Sequence, residues 1–132
     1  MTLVLCADDR GGLLFNGRRQ SRDRAVTADI LTEGEGGTLW MDAYSKGQFP
    51  EDAPIQVCEA FPPPGPGDLF FLEQQGPFPL LPPAGRLIVY RWNRLYPSDR
   101  RLPLPPGGWK LLSQTQFPGH SHKQITKDVY IP

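Results

Sequence analysis

Apolar residues fall in short runs rich in β-branched, aromatic and leucine side chains and bounded by Gly, Pro or Asp, the pattern of strands rather than long helices. The first run, Thr2–Ala7, is apolar almost throughout, as expected of a central strand covered on both faces. Residues 38–41, 55–58, 68–72 and 86–92 read as further strands. Residues 109–113 and 128–131, separated by a polar loop, are expected to close the sheet as an antiparallel pair. In 86–92, alternation sets Tyr90 and Trp92 on one face and Arg91 on the other, so a half-buried strand with a charged outer face is expected. One short helix is predicted from Thr27, whose hydroxyl would cap it, through Ile30 and Leu31 to Gly34. A second covers 43–48.

Ten of the 16 prolines lie between Pro50 and Pro83, each removing a backbone donor and fixing φ, so a long helix is excluded there. Phe61, Phe70, Phe71, Phe78 and Leu80, inserted among them, predict loops pinned to a core. With 132 residues, 39% hydrophobic, the chain is expected to form one domain, residues 1–132, of α/β class with a mixed central sheet and few short helices. The lack of a long apolar run and of a leader-like amino terminus points to a cytoplasmic protein without a membrane partner. Cys6 and Cys58 read as small buried apolar residues.

A formal net charge of +0 conceals a segregation. Residues 16–24 carry a balance of +3, residues 29–73 a balance of −8, and residues 86–101 a balance of +4. If the two basic segments meet, they make an anion-attracting surface.

The stretch from Asp8 to Arg24 leaves a central strand, crosses Gly11, Gly12, Asn16 and Gly17, and brings Arg18, Arg19, Arg22 and Arg24 toward a helix amino terminus. Arginine forks and helix dipole both favour phosphate or carboxylate. A loop outside the carboxyl end of a central strand is also where open α/β sheets bind ligands. These residues are the ligand-binding candidates. His120 and His122, the only histidines, have no third histidine to complete a zinc site and are expected on a surface hairpin loop; no metal is assigned. The interleaved Tyr90-Arg91-Trp92-Asn93-Arg94 can stack on and neutralise a nucleic-acid strand.

The order of these segments resembles dihydrofolate reductase, in shortened and divergent form. The similar pieces are Val4 to Asp9 with Gly11, Gly12, Asn16 and Gly17, then Thr27-Ala28-Asp29-Ile30-Leu31, Leu39-Trp40-Met41, Arg86 to Trp92, Trp109 to Ser113 and Val129-Tyr130. The resemblance implies Asp29 as the catalytic carboxylate, relaying a proton beside a pterin-like substrate, with NADPH as cofactor. The family's strand ending in a double glycine, which approaches that cofactor, has no counterpart between Phe71 and Arg86. The chain is also similar to small bacterial proteins of this length that carry the label ribonuclease Z, although His120-Ser121-His122 is followed by Lys123, Gln124 and Ile125 rather than by that enzyme's metal motif.

The sequence reading is therefore a non-catalytic binder of a phosphorylated ligand or nucleotide at the loop before the first helix. Its alternatives are a divergent NADPH-dependent reductase and an RNA-binding protein, with nuclease action a remoter extension. Exposed aromatics on a small sheet also suit a homodimer.

Overall fold

The computed structural model describes residues 1–60, 62, 63, 65–74 and 84–132. In chain order they form β1 (Thr2–Ala7), β2 (Gly12–Phe15), β3 (Arg18–Arg19), α1 (Arg24–Glu33), a single 3₁₀ turn (Gly34–Gly36), β4 (Leu39–Met41) and α2 (Ala43–Lys46). Then come β5 (Gln56–Val57), β6 (Leu69–Phe71), β7 (Arg86–Arg91), β8 (Arg100–Arg101), β9 (Lys110–Phe117) and β10 (Ile125–Ile131).

Seven strands make one mixed sheet in the order β5-β4-β6-β1-β7-β10-β9. β1 lies between β6 and β7 and runs parallel to both, pairing Thr2 with Leu69 and with Arg86. β10 pairs antiparallel with β7 and with β9, with an irregularity at Val129/Tyr130. The apolar run in β1 is thus a central strand with both faces covered. Val4 packs with Val26, Ile30, Phe71, Ile88 and Tyr90, while Leu3, Leu5 and Ala7 pack with Phe70, Leu87, Val89 and Tyr130. Helix α1 covers the first face through Val26, Thr27 and Ile30, spaced so that they fall on one side.

Several details depart from the sequence reading. α1 begins at Arg24, not Thr27: Asp23 is its cap, extended at φ −153°, its carboxylate accepting from the Ala25 amide at 2.8 Å. Thr27 lies within the helix and its hydroxyl donates back to the Arg24 carbonyl. β7 is buried on both faces, and Arg91 pairs at 2.5 Å with Asp128 of β10 instead of facing water. Tyr90 and Trp92 share a face as expected, but both are buried in the core, so their rings cannot stack on a nucleic-acid strand. The closing antiparallel pair forms and is longer than expected, β9 being exposed along its length with Leu111 and Leu112 in water. Phe70 and Phe71 are buried; Phe61, Phe78 and Leu80 lie outside the described residues. Neither Cys6 nor Cys58 is fully buried, and both are free thiols.

A second, three-stranded sheet was not legible in advance. Its order is β3-β2-β8. Asn16 and Gly17 turn β2 into β3 with φ values of 51° and 71°, the two left-handed residues that a tight hairpin requires.

Candidate functional site

Because β1, β6 and β7 are parallel, their carboxyl ends share one edge, where the segments after Ala7, Phe71 and Arg91 converge. At the root of the first segment the Asp8 carboxylate accepts from the amides of Arg10 and Gly12 at 2.9 and 2.7 Å, from Gln20 Nε2 at 2.9 Å and from the Tyr96 amide at 3.3 Å. Burial works against its charge, but these donors outweigh it and hold the carboxyl below its ordinary range.

Between β1 and β6 the edge is closed by an ion pair. Arg19 Nε and Nη2 donate to the Glu73 carboxylate at 3.0 and 3.1 Å, and Gln48 Nε2 adds a bond of 2.9 Å. The same guanidinium lies 4.1 Å over the Tyr44 ring and donates to the Tyr44 carbonyl. Beneath the pair, Leu5, Cys6, Leu72 and Trp92 leave a void of about 10 Å³, room for one water. Burial pushes the Cys6 thiol up, Glu73 adds to the rise and Arg19 opposes it.

Next to this plug the chain from residue 21 to residue 24 meets residues 119–122 of the β9–β10 connection. Asp23 Oδ1 accepts from the His120 amide at 2.8 Å, and Oδ2 from the amides of Ser121 and His122 at 2.7 and 3.0 Å. His122 Nδ1 lies 2.9 Å from the same Oδ2. On the far side of the ring, Nε2 is 3.1 Å from Ser21 Oγ and 3.0 Å from the Tyr96 hydroxyl. The imidazole stacks on Trp92 with centroids 4.8 Å apart. Burial disfavours the Asp23 charge, yet the His120 amide, the His122 ring and the amides of Ala25 and Ser121 together hold the carboxyl far below its ordinary range. His122 is therefore a buried, anchored residue, not part of an exposed hairpin, whereas His120 is exposed. Sequence reasoning missed this cluster and the Arg19–Glu73 pair; an Asp ahead of a helical stretch was the one local signal.

The sequence candidates are distributed rather than gathered. Arg22 and Arg24 flank a groove of about 340 Å³ that Thr27, Gln48, His120 and Ser121 also line. Neither arginine makes an ion pair among the described residues. Arg19 is held by Glu73, and Arg18 and Asn16 border a separate depression with Phe15 and Tyr96. The two basic segments do meet, since β3 and β8 flank β2 and carry Arg18, Arg19, Arg100 and Arg101. Space next to Gly11 and Gly12 is taken by the protein itself: a Cβ at Gly11 would run into the Leu102 carbonyl, and one at Gly12 would sit 2.6 Å from the Asp8 carboxylate. Gly17 stands in open space at the hairpin turn. Asp29, on α1, accepts from the Tyr90 hydroxyl at 2.5 Å and pairs with Lys127 at 2.7 Å. Among the described residues no group of three or more His, Cys, Asp or Glu is arranged to hold a metal ion, and no helix is long and apolar enough to cross a membrane.

No protein-family description matches the sequence, and no curated protein matches it. Among solved structures, the chain is similar to dihydrofolate reductase from Enterococcus faecalis complexed with NADP(H) and RAB-propyl. The TM-score is 0.69, over 98% of this chain and 94% of that one, at 9% sequence identity. The fold is that of dihydrofolate reductase. The strand expected over residues 68–72 lies next to β1 as β6 and runs into Leu72-Glu73-Gln74, without a glycine pair. The resemblance to ribonuclease Z gains no support from the fold.

Proposed function

We propose that this chain binds a small phosphate-bearing ligand in the groove flanked by Arg22 and Arg24, on a reductase fold that does not carry out the reduction. The observation that carries this reading is the pair of exposed guanidiniums, without an ion pair among the described residues, on a concave surface of about 340 Å³ that Thr27, Ser121, Gln48 and His120 also line. Guanidinium forks match phosphate oxygens in shape as well as charge, which suits a phosphate ester or nucleotide better than a neutral ligand. Asp23 also lines the groove, but its oxygens are occupied by amides and by His122.

Calorimetric titration with pyrophosphate and with AMP tests it. Binding is expected for at least one, weakening with salt and falling tenfold or more in the Arg22→Ala/Arg24→Ala double variant. Equal affinity in that variant, or no binding by either probe, overturns the proposal.

The second reading, an NADPH-dependent reductase of a pterin-like substrate with Asp29 as proton relay, is favoured by the likeness to a reductase whose structure holds NADP(H). It is opposed by the Arg19–Glu73 closure and by the commitment of Asp29 to Tyr90 and Lys127. A rise in melting temperature with saturating NADPH, unaffected by the double variant, would put this reading first.

A further inference from the structure

We propose that Ser21, His122 and Asp23 form a nucleophilic site of the serine-hydrolase kind, directed at small carboxylic esters. Its geometry rests on two distances, 3.1 Å from Ser21 Oγ to His122 Nε2 and 2.9 Å from His122 Nδ1 to Asp23 Oδ2. A hydroxyl, an imidazole and a carboxylate in hydrogen-bonded series are recognised by this arrangement and not by their order along the chain.

Ser21 is half-buried and Asp23, extended at the helix cap, is buried, while Arg22 and Arg24, the latter the first helical residue, are exposed. The same stretch thus presents two arginines outward and two triad members inward. Asp23 is fixed by four backbone amides before it meets the ring, which makes it a rigid orienter. A ring donating from Nδ1 to that carboxylate presents the Nε2 lone pair to Ser21 at 3.1 Å and to the Tyr96 hydroxyl at 3.0 Å, and the general-base role falls to it when the Tyr96 proton turns to the substrate. Trp92, stacked on the imidazole, prevents it from swinging away.

Ser21 itself lines the void of about 10 Å³. Tyr96, whose hydroxyl is 3.4 Å from Ser21 Oγ, also lines a depression of about 340 Å³ with Gln20, Phe15 and Arg18, and the proposed ester enters from that side. Phe15 is 43% exposed and offers an apolar wall for an acyl group. In the proposed step Ser21 Oγ attacks the ester carbonyl carbon while its proton passes to Nε2, and the Tyr96 hydroxyl donates to the oxygen that becomes negative. The bond to the leaving alcohol then breaks as Nε2 returns the proton to it. Water, giving a proton to Nε2 and its oxygen to the acyl carbon, releases the acid and restores Ser21.

A fluorophosphonate probe tests the nucleophile directly, because Ser21 Oγ would bond to phosphorus as fluoride leaves. Intact mass and peptide mapping should place one adduct on Ser21 in the folded protein, absent from Ser21→Ala and slowed a hundredfold or more in His122→Gln. Added imidazole should restore part of the labelling in His122→Ala. Tyr96→Phe should slow p-nitrophenyl acetate hydrolysis tenfold or more, whereas Lys110→Ala, an exposed change on β9, should leave labelling unchanged. Should the His122 variants not fold, urea-unfolded wild type replaces them, and loss of labelling on unfolding is the expected result. No adduct on Ser21, or equal labelling of folded and unfolded protein, overturns the proposal.

Discussion

His122 Nδ1 stands 2.9 Å from Asp23 Oδ2, joining residues 99 positions apart. The same carboxylate caps α1 and holds the amides of residues 120–122, so one side chain ties the first helix to the last hairpin connection. Asp23→Ala removes the cap and leaves those donors and the ring without their acceptor. The cap alone is worth about 1 kcal/mol and the stranded buried donors add to it. Urea unfolding at neutral pH should show a loss of at least about 3 kcal/mol, with Asp23→Asn losing less.

Acid should unfold the protein through the same carboxylate. Asp23 and Asp8 both have folded-state values depressed below the unfolded value of about 3.9. Their contribution is therefore complete above that value and drains away as pH falls through it toward the folded values. Melting temperature measured between pH 6 and pH 2 should fall steeply in the wild type and less steeply in Asp23→Asn; equal slopes would remove Asp23 as a principal cause.

Tyr90 gives the opposite limb. Burial first, then the hydrogen bond to Asp29 and its charge, push the phenol far above its ordinary value. A raised folded value leaves stability intact below the unfolded value of about 10 and takes it away as pH rises beyond. Tyr90→Phe should cost about 1 kcal/mol at pH 7 and yield a variant less sensitive to alkali. Denaturant midpoints at pH 7 and pH 10.5 would expose the difference.

The Arg19–Glu73 pair should show strong coupling. Glu73 is 6% exposed at its side chain, so Arg19→Gln strands a buried carboxylate with Gln48 as its remaining side-chain donor among the described residues, at a cost of about 3 kcal/mol. Glu73→Gln in that background should recover part of the loss. Additive single and double effects in a thermodynamic cycle would contradict a direct pair.

Two glycines with positive φ separate backbone strain from crowding. Gly11, at φ +74°, faces the Leu102 carbonyl where a Cβ would sit; Gly17, at φ +71°, has nothing within 4 Å. Gly17→Ala should cost about 1–2 kcal/mol for the left-handed conformation alone. Gly11→Ala should cost clearly more, because the β2–β8 junction must move, and thermal melts of the pair measure the gap.

The fold was more legible than the site, for a physical reason. β1 announced itself because a strand covered on both faces must be apolar at every position, and the closing hairpin because two such runs flank a polar loop. Even Gly34 was read correctly as the end of α1. Asp23, set among Arg22 and Arg24, looked like one more solvated charge, and nothing near it in sequence said that its donors lie at residues 120–122. His122 sits in a short polar turn whose composition is that of any exposed loop. The glycines of the first connection suggested room for a ligand, whereas at Gly11 and Gly12 that room is occupied by Leu102 and Asp8. Hydrophobic patterning is a property of neighbours in the chain; ion pairs and triads depend on which distant segments meet.

β1 is synthesised well before both of its sheet partners, β6 starting at Leu69 and β7 at Arg86. While the polypeptide leaves the ribosome, Leu3, Val4 and Leu5 have neither neighbouring strand until residues 69–91 have emerged. Such long-range pairing slows folding and lengthens the time in which an apolar strand is exposed. The nascent chain therefore depends on whatever shields this strand in that interval, and its yield in a cell should respond to translation rate and chaperone supply more than its finished stability would suggest.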